Sequence, residues 1–514
     1  MLSLRIAQAM FVDWDTGHGL ITAHQWSPRN GYSWNQPAIA RSWGQTGAMR
    51  VSAALILAVS LAAAACTSSG GSPGSTSTQA TPRRPAAVPG GLSRAPASLT
   101  ARDWPTYHKD AAGTGVAPAT PAAGALRITW TRHLDGAVYG QPLVIGGLVI
   151  AATEGDTVYG LSAANGRIAW HAHLGTPVPL SSLPCGSINP LGITGTTVYD
   201  PATGLVYAVA ETTGFHHVLA GIKVTTGRVV FRRDIPAPDG HPRFDQQWAA
   251  LTVERGRVYV AFDGLFGDCG PYRGSIVGIP APGQGALVSY QVPTARGGGM
   301  WAAGGPVIGP DGTIYVSVGN GAATSPPFDG SDSVISLTPR LHRTGIFAPR
   351  SWPADNAGDL DLGSAAPALL STGRLLADGK NGTAYLLNAQ HLAGVGKQLA
   401  TAPVCAAFGG MAAQGTVAYV PCISGGMAAV NIANDRIRVL WRGPGPAQSS
   451  PVLGGGAVWV VDWNSGVLCE LSPATGHVRH KISLGSAVPL ASPSLSGPLV
   501  LVGTMSGVVA VSGA

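Results

Sequence analysis

From residue 138 to the C-terminus, apolar and polar residues alternate with a period of two, in runs of five to seven positions. Such alternation predicts half-buried β-strands, because successive side chains on a strand point to opposite faces. The clearest stretch is PLVIGGLVIAATEGDTVYGLSAANGRIAWHAHL, from Pro142 to Leu174. It reads as an apolar strand, a Gly turn, a second strand, a Tyr- or Val-rich stretch and a final strand carrying Trp. Asn165-Gly166 predicts the tight turn between the third and fourth strands. Thr226-Gly227 and Thr475-Gly476 predict the same turn in later copies of the pattern.

The unit is complete seven times, at roughly 138–175, 177–234, 243–292, 300–346, 361–400, 405–443 and 446–484. Repetition of one four-stranded unit is the mark of a radial or linear array. The C-terminal piece PSLSGPLVLVGTMSGVVAVSG supplies three strands and lacks the fourth. A lone strand, LRITWTRHL at 126–134, precedes the first unit and carries the missing Trp as Trp130. The two pieces together make an eighth unit, which would close a ring and leave no free sheet edge between its ends. The expected fold is therefore all-β, an eight-bladed β-propeller spanning 103–514, with its last blade shared between both ends of the domain. A seven-bladed ring and an open solenoid are the alternatives, and neither accounts for the complementary ends.

Composition agrees with this reading. Charged residues make up 11% of the chain, against about 25% in an ordinary soluble domain. The 72 Gly and 40 Pro suit many short strands joined by turns. The net charge of +7 suggests nucleic-acid binding until it is located. Residues 1–102 hold eight Arg against two Asp, which leaves +1 for everything beyond. A nearly neutral domain gives no argument for a nucleic-acid partner.

The amino terminus reads as an address. Met49-Arg50, an apolar run over 51–65 and then Cys66 have the parts of a secretory signal. The run is too short and Ala-rich to span a membrane convincingly. Residues 49–66 resemble a bacterial lipoprotein signal in which Cys66 becomes the lipidated first residue, although Ala63 stands where Leu is usual. Simple secretion and an uncleaved anchor are the alternatives. Residues 67–102 form a Ser/Thr/Gly/Pro tract that cannot bury a core and is expected to be a disordered tether. Residues 1–48 have no clear strand or helix period, and translation from Met49 would make them a non-native extension. A genuine cytoplasmic extension is the alternative.

The repeat Tyr159-Gly-Leu-Ser-Ala-Ala-Asn-Gly166-Arg-Ile-Ala-Trp170 resembles the tryptophan-docking repeat of PQQ-dependent dehydrogenases and PQQ-like propellers. The opener Asp103-Trp104-Pro-Thr-Tyr-His108, followed by Gly113-Thr-Gly115, is similar to the segment that leads into such propellers. The resemblance covers about 103–514 and implies the fold. It implies chemistry less strongly, since many PQQ-like propellers act as binding scaffolds.

In the dehydrogenases a quinone stacks on an axial Trp and binds calcium, which is held by a Glu, an Asn and often an Asp, while another Asp acts as base. Such a site needs an aromatic floor and oxygen ligands. Trp301, in RGGGMWAAGGP, resembles the stacking Trp, and Asn320, in YVSVGNG, the calcium-binding Asn. DNAGDLDLGSAAP, with Asp355, Asp359 and Asp361, resembles the Asp-rich loop that supplies the base. With LLADGKNGTAYLLNA after it, this loop is close to the pattern of polyvinyl alcohol dehydrogenase-like proteins. The resemblance thus implies Asp361 or Asp359 as base, Trp301, Asn320 and Asp268 for PQQ, and Asn320, Asp268 and Asp361 for calcium. The pattern departs at two points. The adjacent Cys-Cys pair is absent, and GDCGPYRG offers Asp268 where the family has Glu, with one extra residue. No CxxCH haem motif is present, so electrons would need an external acceptor.

Each of these residues also has a plainer reading. Trp301 could fill a blade interface, Asn320 could serve a turn, and the Asp loop could cap irregular backbone. Beyond Cys66 there are five cysteines. Cys405 and Cys422 lie at the ends of two strands flanking a turn and are expected to form a disulfide. Cys185–Cys269 is a second candidate pair, which leaves Cys469 buried in its strand. The leading functional reading is an extracytoplasmic propeller lipoprotein that binds a small molecule or an envelope protein, membrane-held through its N-terminal lipid and monomeric. The rivals are a PQQ- and calcium-dependent alcohol dehydrogenase and an envelope assembly scaffold.

Overall fold

A computed structural model describes the strands Met10–Trp14 and Ile21–Gln25, and residues 99–443, 445 and 449–513. The two early strands pair antiparallel, a ladder that the sequence pattern did not predict. The proposed signal, Cys66 and residues 67–98 of the expected tether lie outside the described residues, whereas 99–102 form the turn that leads into Asp103.

Eight antiparallel blades follow one another around the ring. Blades one to seven span 143–173, 198–234, 252–291, 307–348, 368–403, 412–442 and 452–483. Blade eight joins Ser494–Ser496, Leu499–Thr504 and Gly507–Gly513 to the N-terminal strand Leu126–His133. The register runs from Gly507 opposite His133 to Gly513 opposite Leu126, so the two ends of the domain are held by one hydrogen-bonded ladder. The expected eight-bladed closure is what the chain forms. Burial falls from first strand to last within a blade. Leu143–Ile145 is wholly buried, whereas Ile168–His173 alternates buried and exposed. The first strands therefore line the axis and the fourth strands form the rim.

Neighbouring blades are locked by aromatic side chains. The indole Nε1 of Trp130 donates to the Ala163 carbonyl of blade one at 2.9 Å, and that of Trp170 to Val224 of blade two at 2.8 Å. Trp441 does the same to Pro473 of blade seven at 2.7 Å. Each indole lies on the Gly of the predicted turn. A Cβ on Gly227, whose φ is +70°, would come within 2.7 Å of the Trp170 ring. The turn thus needs glycine both for its left-handed backbone and for the approach of the indole. Both expected disulfides form, Cys185–Cys269 and Cys405–Cys422, and Cys469 is free and buried. The second is not a hairpin bond. It ties the segment leading into blade six to the end of that blade's second strand, Val417–Cys422.

The opener from Asp103 to Ala117 runs along the axial side of the ring. Trp104 pairs with Val144 of blade one, and the Pro105 carbonyl accepts from Tyr199 of blade two. The Ala111 carbonyl accepts from Ile308 of blade four, and Gly115 from Leu453 of blade seven. His108 bridges blades six and eight, with Nδ1 3.1 Å from the Met411 carbonyl and Nε2 3.2 Å from Ser492 Oγ. Burial pushes its pKa down to about 4, so the ring is neutral. The segment plugs the axis, with the Tyr107 hydroxyl buried there without a hydrogen-bond partner among the described residues, and leaves the loops at the first-strand starts to form a mouth.

Candidate functional site

Antiparallel pairing places the start of each first strand beside the end of each second strand, so both kinds of loop meet at one end of the ring. Trp301 lies in the connection to blade four and Asp361 in the connection to blade five. Lys380 follows the second strand of blade five, Arg374–Ala377. These three converge. The Lys380 ammonium lies 2.5 Å from Asp359 Oδ1, 3.0 Å from Asp361 Oδ2 and 5.1 Å from the centroid of the Trp301 ring. Phe408 meets the same indole edge-on, with centroids 5.8 Å apart. Trp301 is half-buried at this mouth. Its role as mere filler inside a blade is not what the geometry gives.

The Asp-rich loop is partly helical, which strand periodicity did not anticipate. Trp352–Gly358 forms a short α-helix, and Asp359 caps it with left-handed backbone at φ 54°. Asp355 is committed to structure, since its Oδ2 accepts from Ser351 Oγ at 2.6 Å and Asn381 Nδ2 at 3.1 Å. Asp361 is fully buried and does two things at once. Its Oδ1 caps the turn Leu362–Ser364 by accepting from the Gly363 amide at 2.7 Å, while Oδ2 faces Lys380. Gly319 packs closely beside it, since a Cβ there would lie 3.1 Å from the Gly299 carbonyl oxygen and 3.3 Å from Trp301 Nε1. Burial opposes the charge on Lys380, but Asp361 and Asp359 together outweigh it and hold the ammonium well above its usual pKa.

The other two expected residues are placed differently. Asp268 sits in the second-to-third-strand loop of blade three, beside the Cys185–Cys269 disulfide, and its Oδ1 accepts from the Tyr272 hydroxyl at 2.5 Å. Asn320 lends its backbone carbonyl to the Gly298 amide at 2.6 Å, which ties the connection before blade four to the end of that blade's second strand. Among the described residues, no group of three or more His, Cys, Asp and Glu side chains is placed to hold a metal ion. Asp361 and Asp268 have protein partners where calcium would need their oxygens, and Lys380 already supplies a cation between two of the carboxylates. The donor set therefore does not fit a calcium shell.

Sequence reasoning passed over Lys380, and also a series of buried acids. Glu154, Glu211 and Asp263 each stand five residues after the valine that pairs with the first strand of their blade, at Val149, Val206 and Val258. Aligning the repeats by that valine would have exposed them. Burial, aided by neighbouring carboxylates, pushes Glu154 and Asp156 up to about 8 and Asp245 up to about 9. Neither carboxyl oxygen of Asp156 or Asp245 has a hydrogen-bond partner in the protein. Asp263 is also raised, by burial and then by Glu211, Asp268 and Asp245. Its Cβ would be 3.0 Å from a Cβ on Gly299, two residues before Trp301, so Asp263 lies beside the Trp301 site.

Comparison with known proteins places these features. Residues 121–316 match a family profile described as outer membrane protein assembly factor BamB. No curated protein matches the sequence. Among solved structures, the quinohemoprotein alcohol dehydrogenase ADHIIG from Pseudomonas putida HK5 is similar at 14% identity, with a TM-score of 0.63 over 82% of this chain and 83% of that one. That from Comamonas testosteroni is similar at 16%, with a TM-score of 0.62 over 80% of each chain. BamB from Moraxella catarrhalis is similar at 16%, with a TM-score of 0.53 over 75% of this chain and 99% of that one. At such identities the likeness is one of fold. Eight blades, the docked indoles and these matches make the chain an eight-bladed β-propeller of PQQ-like fold, with the repeat profile matched over residues 121–316.

Proposed function

We infer that the propeller is an extracytoplasmic binding module whose axial mouth takes a small neutral hydroxyl-bearing molecule. The observation that carries this is the Lys380 ammonium held between Asp359 and Asp361 over the face of Trp301. An indole face suits the C–H surface of such a ligand, and the charged groups beside it can give and take hydrogen bonds with hydroxyls. The built-in cation argues against the calcium that the dehydrogenases need, so no redox step is assigned. The two disulfides support a place outside the cytoplasm, and lipidation at Cys66 would tether the domain to the membrane.

The second reading is a PQQ- and calcium-dependent alcohol dehydrogenase, favoured by the meeting of Trp301 and Asp361 from different connections. In that case Asp361 or Asp359 would hold the substrate proton. The likeness to BamB favours a third reading, in which the loops hold an envelope protein. Tryptophan fluorescence, titrated with glycerol and short polyvinyl alcohol, separates these. Saturable quenching that disappears in Trp301→Ala supports the binding module. Equal quenching in Trp301→Ala, or no quenching with either ligand, rejects it.

A further inference from the structure

The fourth strands of the blades differ sharply in charge around the ring. Those of blades six, seven, eight, one and two are Arg436–Arg442, Val478–Ser483, Leu126–His133, Ile168–His173 and Val229–Asp234. They carry three, two, two, none and two Arg or Lys residues, nine in all, with one acid, Asp234. The strand of blade one instead has His171 and His173, with the exposed Arg167 just before it. The fourth strands of blades three, four and five, Val288–Gln291, Arg343–Ala348 and Ala400–Pro403, have only Arg343.

This basic belt is not neutralised by the protein. Among the described residues, Arg479 is the one cation of these strands within ion-pair distance of a carboxylate, at 3.7 Å from Glu470. Each of the five strands also exposes one aliphatic side chain, Leu440, Val478, Ile128, Ile168 or Val230, at 39–45%. The aromatic rings of three of these strands, Trp130, Trp170 and Trp441, are spent in blade docking and are buried.

We propose that this rim binds a flexible polyol-phosphate polymer of the cell envelope, laid along the outer strands from blade six to blade two. Five consecutive blades of eight cover more than half the circumference. A flat bilayer meets a convex rim along a narrow front, whereas a flexible chain can follow it. Guanidinium groups pair well with phosphate oxygens, and each contact releases counterions. Single-stranded nucleic acids carry the same phosphodiester charge, but their binding grooves use exposed aromatic rings for base stacking. This rim offers aliphatic side chains in that place. The proposal rests on the extracytoplasmic location argued above, and not on the Trp301 site.

The test is fluorescence anisotropy of the intact chain with labelled polyglycerolphosphate of increasing length, at physiological salt. Affinity is expected to rise with length until the polymer spans the belt. Arg436→Gln with Arg438→Gln should weaken binding at least tenfold and flatten its salt dependence. Arg343→Gln, on blade four, should change it less than twofold, and thermal melting checks that both variants fold. No binding, or an equal loss from Arg343→Gln, would overturn the proposal. So would tighter binding to anionic phospholipid vesicles, or to an oligonucleotide of equal phosphate number.

Discussion

From blade eight through blade one to blade two, and from six to seven, a tryptophan on the fourth strand crosses to the next blade. From blade two to blade five, a tyrosine on the second strand does so instead. Tyr207, Tyr259 and Tyr315 donate to the carbonyls of Ala281, Pro339 and Ala389 at 3.0, 2.8 and 2.8 Å. Both reach the same place in the next blade, a carbonyl just past its third strand, the indole from the fourth strand and the phenol from the second. The Trp arc has the basic outer strands. The Tyr arc has short or neutral ones and carries Trp301, Asp361 and Lys380 at the mouth. One repeat therefore builds two different surfaces, a basic rim and a loop surface that carries the Trp301 cluster.

The largest effect concerns the closure that both arcs share. Deleting 126–134 removes the outer strand of blade eight and leaves the edge of Gly507–Gly513 unpaired. Cooperative denaturant unfolding should be lost, and a variant that melts like the parent would break the account of closure. The two arcs are then separated by substitution. Trp170→Ala removes a ring packed on Gly227 together with its hydrogen bond, and should cost about 3–5 kcal/mol. Lys380→Met leaves Asp361 buried beside Asp359 without its cation, and should cost about 3 kcal/mol, whereas Lys380→Arg should cost less. Tyr259→Phe loses only the bond to Pro339 and should cost about 1 kcal/mol. Equal losses from Trp170→Ala and Tyr259→Phe in urea titrations would erase the distinction between the arcs.

Much of this was legible in the chain. Period-two alternation, Gly turns at fixed offsets and complementary ends are local signals, and they were enough for blade number and closure. Both cysteine pairings were expected, although Cys405–Cys422 does not lie in the hairpin that the turn pattern suggested. The site was half legible. Trp301, Asp359 and Asp361 could be found because their surrounding segments resemble known ones. Lys380 could not, since a lysine in a Gly-Lys-Asn turn looks like any solvated turn residue until the ring folds it back between two carboxylates. Asp268 and Asn320 showed the reverse problem, because similar surroundings did not fix which partner each group takes.

A further expected effect is one of pH. The fold holds Asp245 neutral, with its pKa pushed up to about 9 by burial. A carboxyl raised in this way stabilises the folded state fully below its ordinary value, near 4. That contribution is lost as pH rises through about 9. The parent should therefore lose stability between pH 5 and 9 more steeply than Asp245→Asn, as followed by Tm. Parallel profiles would mean that Asp245 is not held neutral.

The central claim is that a lysine of the chain itself occupies the cation position of the axial mouth. Metal analysis of the purified protein after incubation with PQQ and Ca²⁺, with the absorbance spectrum recorded on the same sample, tests it most directly. The account predicts calcium well below one ion per chain and no bound quinone band. One calcium per chain with a bound quinone spectrum would contradict it.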